Sequence, residues 1–235
     1  QPVVAQDTPG FIVNRVARPF YGEALRLLGE GAAGHEEIDR LVSQGGGFPM
    51  GPFELMDLIG IDINLAAMQS MYEQTSGESR YRPHQIQFRM VHQQALGRKS
   101  GRGFYDYTSG PRPQKPEPPR MKANAGQVLL STGSWSPGLR KLLEESGYTP
   151  NGAAGGPIEP LAGIVVAGKH EDLQRLVVQM DRDLPPGRPL FCQCADVTLT
   201  EVATWIRHAE RLVGFDGLFF ASGPVATLVA SPTLQ

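Results

Sequence analysis

The sequence predicts a multidomain α and α/β fold, with an all-α domain followed by a domain built on a parallel sheet. Apolar residues recur at spacings of three and four before residue 109, whereas short apolar runs alternate with helical runs after residue 126. Between them, the stretch SGPRPQKPEPPRMKANAG holds five prolines and no Val, Leu, Ile or Phe. Because such a stretch cannot bury a face, we predict domains at 1–108 and 127–235 joined by a linker at 109–126.

Composition excludes several classes of function for these 235 residues. The net charge of -2 gives no electrostatic case for nucleic acid or a membrane surface, and no apolar run approaches the roughly 18 residues of a membrane span. Two cysteines in the whole chain fit a reducing cytoplasm. The chain opens without a Met, so we expect a fragment or a processed protein. The histidines lack the spacing of metal ligands, so we expect no metal site; they are His35, His84, His92, His170 and His208.

The first helix is predicted from Thr8 onward. Thr8 is the expected N-cap, with Pro9 at the first helical position, and Gly29 and Gly31 supply the stop. Pro19 is expected to kink the helix, because it removes one backbone hydrogen bond. The expected buried stripe consists of Ile12, Val16, Phe20, Ala24, Leu27 and Leu28.

The rest of the first domain is predicted as shorter helices. A second helix fits His35 to Gln44, with Glu36 and Glu37 in its first turn favoured by the helix dipole. The stretch GGGFPMGP then breaks the chain, and helical pieces follow through Tyr72 and around 85–94. The closing stretch GRKSGRGFYDY predicts a turn that leads into a short extended segment.

The second domain is predicted as alternating strands and helices, which is typical of βαβ units with a parallel sheet. The predicted strands are 127–131, 162–167 and 189–194. The predicted helices are 138–146, 171–181 and 200–213.

Three motifs in the first domain carry a resemblance to a known family. In order and spacing, DTPGFIVNR, GGGFPMGPFELMDLIGID and GRKSGRGFYDY resemble the C-terminal domain of 3-hydroxyacyl-CoA dehydrogenases, over nearly all of Asp7 to Tyr107. The resemblance implies oxidation of an (S)-3-hydroxyacyl-CoA to the 3-ketoacyl-CoA with NAD as hydride acceptor, in the degradation of fatty acids or related acyl-CoA compounds. It also implies a preceding Rossmann domain that carries a His base, a Glu and a Ser, and a homodimer formed through the helical domain.

Asn14 is the one catalytic residue that the resemblance assigns to this chain. An asparagine in a helix is usually a solvated surface residue, but Asn14 stands at the position of the family's catalytic asparagine within TPGFIVNR. A carboxamide is neutral and both donates and accepts hydrogen bonds. It therefore orients a substrate oxygen without disturbing the pKa of a neighbouring base.

The glycines of the second motif do not predict a dinucleotide site. Gly45, Gly47 and Gly51 follow a helix instead of a strand, and Pro49 and Pro52 stiffen the segment. The resemblance instead implies a loop that shapes the helical domain.

Charged residues in the second and third motifs are not expected to be catalytic. Glu54 and Asp57 are expected to be local caps or surface charges, not an acid–base pair. Lys99 and Arg102 are candidates to contact a CoA phosphate, but solvated turn cations are the favoured interpretation.

The second domain resembles a degenerate copy of the family's own Rossmann domain. Its first turn, from Gly133 to Gly138, lacks the glycine fingerprint for a pyrophosphate. Ala195, Asp216 and Ala230 stand where the family has its Ser, His and Glu. We therefore assign no cofactor-binding residue and expect no bound NAD in this chain.

Three functional hypotheses follow. The leading one is part of an NAD-dependent 3-hydroxyacyl-CoA dehydrogenase that is inactive alone, because its acceptor site and general base lie elsewhere. A second is a non-catalytic module for dimerisation or docking. A third keeps the α/β domain as a nucleotide site with an unusual loop.

Overall fold

The computed structural model describes residues 3–110, 126–132, 137–151, 159–194, 196–216 and 227–229. The chain divides into two compact units, Gln1–Pro116 and Glu117–Gln235. Most of the predicted linker lies outside the described residues. Among the described residues, no helix has both the length and the apolar character that a membrane span requires.

The first unit is helical. Its helices are α1 (Val13–Gly29), α2 (His35–Arg40), α3 (Pro52–Ile59), α4 (Ile61–Gln74) and α5 (Gln85–His92). A π-helical turn, Leu41–Gly45, continues α2, so the predicted helix over 35–44 is confirmed. The segment 97–107 folds into a short 3₁₀ turn and isolated antiparallel bridges, as its glycines predict.

Helix α1 begins four residues later than its first predicted position. Gly10 and Phe11 take positive φ values of 72° and 49°, which are incompatible with a right-handed helix. The Phe11 amide instead donates to the Thr8 carbonyl at 2.9 Å, which closes a turn. The residue that caps α1 is Ile12, without a side-chain hydrogen bond, so the prediction of Thr8 as N-cap was wrong. The helix ends at Gly29 as predicted, and Gly31 is left-handed with a φ of 71°.

The buried face of α1 also differs from the prediction. Of the predicted stripe only Ala24 is fully buried, while Ile12, Val16 and Leu27 remain 53%, 73% and 43% exposed. Apolar periodicity identifies an apolar face, but contact with the other helices decides which face is covered. The face that packs inside consists of Arg18, Tyr21, Gly22, Ala24 and Leu25.

Two buried aspartates tie the loops of the first unit to its helices. Asp57 accepts hydrogen bonds at 3.0 Å from the amides of Phe104 and Tyr105 and from the Tyr107 hydroxyl. Asp39 caps the start of α3 through the Phe53 and Glu54 amides, at 2.8 Å, and also accepts from the Tyr105 hydroxyl at 2.7 Å. Burial raises the pKa of both carboxyls, although these hydrogen bonds oppose the rise. The prediction that Asp57 is a surface charge or local cap was wrong, because its partners lie 47 to 50 positions away.

Gly97 explains part of the GRKSGRGFYDY pattern. Its φ is 96°, and a Cβ at this position would overlap the backbone of Asp57. Only glycine therefore lets this turn approach α3 closely enough for Asp57 to reach the amides beyond it.

The second unit is an α/β sheet domain. Its elements are β1 (Gly126–Thr132), α6 (Pro137–Glu145), β2 (Tyr148–Asn151), β3 (Ala162–Val166), α7 (His170–Asp183), β4 (Leu190–Gln193), α8 (Leu199–Ala203), β5 (Leu212–Asp216) and β6 (Thr227–Val229). The strand order is β2-β1-β3-β4-β5-β6, with parallel pairing throughout except for the antiparallel pair β5 and β6. The three predicted strands and the helices at 138–146 and 171–181 are confirmed.

The predicted helix over 200–213 was wrong. The Thr198 hydroxyl caps α8 by accepting from the Glu201 amide at 3.2 Å, but α8 ends at Ala203 and strand β5 begins at Leu212. The segment between them is held by Asp181, which accepts from the Arg207 amide at 3.0 Å and pairs with Arg211 at 2.8 Å. A buried ion pair thus overrides the local helical pattern. Burial opposes ionisation of Asp181, but the bonds from Arg211 and Arg207 prevail and lower its pKa.

Candidate functional site

Asn14 lies in the first turn of α1, on the helix face that is buried further along. It precedes Arg18, Tyr21 and Leu25 by four, seven and eleven residues, which is the spacing of one helical face. From Arg18 onward this face is covered, but Asn14 itself is exposed. Asn14 therefore lies at the N-terminal end of the buried face of α1, where this face becomes exposed. It does not lie on the side of the helix that faces away from the unit.

A cavity of about 530 Å³ adjoins the Asn14 side chain. Its walls come from the turn before α1, from the first turn of α1 and from α4. The lining residues are Asp7, Thr8, Pro9, Gly10, Phe11, Asn14, Ala67, Ser70, Met71 and Gln74.

Gly10 sets the position of Asn14 against α4. Its φ of 72° lies in the left-handed region, and an added Cβ would overlap the sulfur of buried Met71 and approach the Asn14 Cβ to 3.1 Å. The Gly10 carbonyl accepts the Asn14 amide hydrogen at 3.2 Å. The glycine of the TPGFIVNR motif therefore has a geometric reason, since only glycine permits this approach without strain.

The Asn14 carboxamide is available to a ligand. No described residue hydrogen-bonds its side chain, which leaves two N–H donors and one carbonyl acceptor beside the cavity. The backbone of Asn14 is fixed by the helix, so the direction of the carboxamide is restricted.

Arg18 is a residue that sequence reasoning missed. Its guanidinium lies 4.9 Å from the centre of the Tyr21 ring, and its side chain is buried. Burial lowers the pKa of Arg18, because it removes water from the charged form. The sequence offered one signal, an arginine four residues after the candidate asparagine.

The cations of the third motif, GRKSGRGFYDY, have local partners or remain on the surface. Lys99 donates to the Asp62 carboxylate at 2.7 Å, and this bond lowers the pKa of Asp62. Arg98 pairs with Glu54 at 3.0 Å, and Arg102 is exposed. This arrangement favours solvated turn cations over phosphate ligands at Lys99.

The glycine-rich segment before α3 does not fit a dinucleotide. A π-helical turn precedes it, where a fingerprint loop needs a strand. At the start of α3 the amides of Phe53 and Glu54 already bind the Asp39 carboxylate, which occupies the place that a phosphate needs.

The described part of the second unit adds no candidate site residue. Asp216 is the last residue of β5, while Ala195, Ala230 and residues 133–136 of the first turn lie outside the described residues. Within the described ranges, no group of three or more His, Cys, Asp or Glu side chains is arranged to hold a metal ion.

The fold and the site together define a class of protein: a helical domain with an asparagine at an open cavity, followed by an α/β parallel-sheet domain. Residues 10–107 match the family described as "3-hydroxyacyl-CoA dehydrogenase, C-terminal domain". The helical unit of this chain belongs to that family.

Relatives support this assignment. The chain is 51% identical over 107 residues to a 3-hydroxyadipyl-CoA dehydrogenase of Escherichia coli K12, which covers 46% of this chain and 22% of that protein. It is 43% identical over 106 residues to a 3-hydroxybutyryl-CoA dehydrogenase of Clostridioides difficile, covering 45% of this chain and 37% of that protein. The chain thus spans well under half of the length of these relatives.

A solved structure extends the similarity to the second unit. The crystal structure of a 3-hydroxybutyryl-CoA dehydrogenase from Escherichia coli K12 substr. MG1655 matches with a TM-score of 0.61 and 31% identity. The match covers 99% of this chain and 38% of that one. The order of a helical domain and then an α/β domain therefore also occurs in a dehydrogenase of this family.

Proposed function

We propose that this chain is part of an NAD-dependent enzyme that oxidises (S)-3-hydroxyacyl-CoA to 3-ketoacyl-CoA, and that Asn14 is its catalytic residue in this chain. The observation that carries the proposal is the position of Asn14. Its unpaired carboxamide lies beside a cavity, at the open end of a buried helix face, within a domain of the dehydrogenase family.

The role proposed for Asn14 follows from its chemistry. The 3-hydroxyl of the substrate must lose a proton while C3 loses a hydride, so its oxygen needs a fixed direction. The Asn14 N–H groups donate to that oxygen in both the alcohol and the ketone, and the carboxamide carries no charge that would alter a neighbouring base. Its place on a helix beside Gly10 keeps this donor in position.

NAD enters the proposal through the family. It accepts the hydride, but the glycine-rich segment before α3 does not fit it, because the Asp39 carboxylate already binds the amides at the start of that helix. We therefore assign the dinucleotide and the general base to another domain of the full-length protein. The isolated chain is then expected to bind no NAD and to turn over no substrate.

A second candidate function, an assembly module, draws support from the exposed apolar face of α1. Ile12, Val13 and Val16 are 53%, 76% and 73% exposed, and water-exposed aliphatic side chains at helical spacing favour association. The two functions are compatible, since a helical domain can dimerise and also supply Asn14. Light scattering on the chain tests this part: a dimer supports it, and a strict monomer at micromolar concentration contradicts it.

The test of the dehydrogenase proposal is NADH formation from 3-hydroxyacyl-CoA, followed by absorbance. The full-length protein that contains this chain is compared with residues 1–235 alone. We expect turnover by the full-length protein and none by the isolated chain. Turnover by the isolated chain would contradict the assignment of base and cofactor to another domain.

A further inference from the structure

The candidate cavity has a second polar wall, which is formed by α4. The α4 residues that line it follow spacings of three and four, as one helical face requires: Ala67, Ser70, Met71 and Gln74. Met71 is buried against the turn before α1, since a Cβ at Gly10 would overlap its sulfur. Ser70 and Gln74 are exposed, so this wall presents a hydroxyl and a carboxamide to whatever occupies the cavity.

Ser70 and Gln74 are joined by a hydrogen bond that leaves one polar function of each unused. The Gln74 Nε2 donates to the Ser70 Oγ at 2.7 Å. The Ser70 hydroxyl hydrogen and the Gln74 Oε1 have no protein partner among the described residues. The accepted bond also strengthens the Ser70 hydroxyl as a donor. The wall therefore offers a donor and, one helical turn further along, an acceptor.

Asn14 and Ser70 lie at the same cavity, so one molecule can contact both. Gly10 joins the two walls, because a Cβ there would approach the Asn14 Cβ to 3.1 Å and overlap the Met71 sulfur. Ser70 directly precedes Met71. In a 3-hydroxyacyl thioester the hydroxyl carbon and the carbonyl carbon are two bonds apart, which is roughly 2.5 Å. A substrate whose 3-oxygen meets Asn14 therefore brings its thioester carbonyl close to this part of α4.

The order of polar groups in a CoA thioester matches the order on α4. The thioester carbonyl accepts a hydrogen bond, and the first amide N–H of the pantetheine arm, beyond the sulfur and two methylenes, donates one. Three bonds of an extended chain span about 3.8 Å, so the four bonds between these groups span roughly 5 Å. Ser70 and Gln74 are separated by about 6 Å along the helix axis. The donor and acceptor on α4 are thus spaced to meet the acceptor and donor of the thioester arm.

We propose that α4 binds the thioester arm of the substrate, with Ser70 donating to the thioester carbonyl and Gln74 accepting from the first pantetheine amide. This inference rests on the function proposed above and deepens it. The hydrocarbon tail of the acyl group is the alternative occupant of this wall. A tail would take water from both polar groups without replacing its hydrogen bonds, which is unfavourable.

The test compares two truncated substrates in the full-length protein. Both carry a 3-hydroxybutyryl group: one is the N-acetylcysteamine thioester, which keeps the amide N–H, and the other has a methylene in place of that N–H. We expect kcat/KM of the unaltered protein to be higher for the N-acetylcysteamine thioester by roughly 3- to 10-fold, the usual worth of a hydrogen bond between neutral groups. Where turnover is slow, the two are compared as competitive inhibitors of 3-hydroxybutyryl-CoA oxidation, and the same ratio is expected in Ki.

Variants of α4 separate the two contacts. Gln74→Met removes the acceptor and should abolish the preference, whereas Gln74→Glu keeps an acceptor and should retain it. Ser70→Ala removes the donor to the carbonyl, which both thioesters carry, so it should raise KM for both by a similar factor with little change in kcat. Gln69→Met makes a matched substitution on α4 outside the cavity and should leave the preference intact. Circular dichroism checks that each variant is folded.

The outcomes distinguish this inference from the proposed function. Equal values for the two thioesters in the unaltered protein, or a preference that Gln74→Met leaves intact, overturns the role of Gln74. An unchanged KM in Ser70→Ala overturns the role of Ser70. Both results leave the dehydrogenase proposal standing, whereas turnover of no 3-hydroxyacyl-CoA by the full-length protein overturns the proposed function itself.

Discussion

Asp57 provides the most sharply defined stability prediction of the first unit. Its carboxylate is fully buried and accepts three hydrogen bonds at 3.0 Å, from the Phe104 and Tyr105 amides and from the Tyr107 hydroxyl. These bonds fix the segment 97–107 on α3. The substitution Asp57→Ala deletes the acceptor and leaves the donors in place.

The expected loss follows from the donors that remain. An unsatisfied buried donor costs about 1–3 kcal/mol, and such costs are not additive within one network. The water that fills the space of the lost carboxyl offsets part of the cost. We expect Asp57→Ala to lower the free energy of unfolding of the first unit by about 3–5 kcal/mol, comparable with breaking a buried ion pair.

Urea unfolding of the whole chain can report each unit separately. Both tryptophans, Trp135 and Trp205, belong to the second unit, whereas five of the six tyrosines belong to the first. The transition followed by tyrosine near-ultraviolet dichroism should move to lower urea in Asp57→Ala, while the transition followed by tryptophan fluorescence should not.

A matched control uses a carboxylate of the same helix. Glu54→Ala removes a half-exposed pair with Arg98, for which the loss should stay below about 1 kcal/mol. A loss for Asp57→Ala no larger than that for Glu54→Ala would refute the reasoning, because it would mean that the buried carboxylate does not hold the segment.

Two further predictions concern the turn before α1 and the second unit. Gly10→Ala should lower both stability and turnover, by at least about 1 kcal/mol in the free energy of unfolding, because its φ of 72° and its contact with Met71 exclude a Cβ. Urea melts and NADH formation measure the two effects. Arg211→Met should destabilise the second unit by about 3–5 kcal/mol, since it leaves Asp181 buried without its cation. The pKa of Asp181 is lowered in the folded protein, so the contribution of Asp181 to stability is complete above its unfolded pKa of about 4 and is lost as the pH falls through the folded value. Acid titrations followed by tryptophan fluorescence should show this loss in the unaltered protein and not in Asp181→Asn.

The sequence predicts the secondary-structure elements of this fold better than it predicts the tertiary contacts around them. The apolar spacing of α1 predicts a helix, but Ile12 and Val16 of the predicted stripe are exposed, because residues distant in sequence decide which side of the helix is covered. Strand β2 was missed because Tyr148–Asn151 has no apolar run and takes its place through pairing with β1.

In the candidate site, too, local motifs were predictable from the sequence and tertiary contacts were not. Asn14 was predicted because its motif is specific, and the left-handed Gly10 gives a geometric reason for a glycine in that motif. Arg18 was not found, because a helical arginine normally faces water and only the tertiary structure shows it buried. The partners of Asp57 lie 47 to 50 positions away, which no local pattern could indicate.

The most direct test of the central claim is the turnover of Asn14→Ala in the full-length protein. Removing one preorganised donor to a reacting oxygen lowers kcat by about 10²–10³-fold in other enzymes, and we expect a loss of this size with little change in NAD binding. Arg15→Met, at the exposed neighbouring position, is the matched control and should retain activity. A folded Asn14→Ala enzyme with kcat within a few-fold of the unaltered protein would contradict the account.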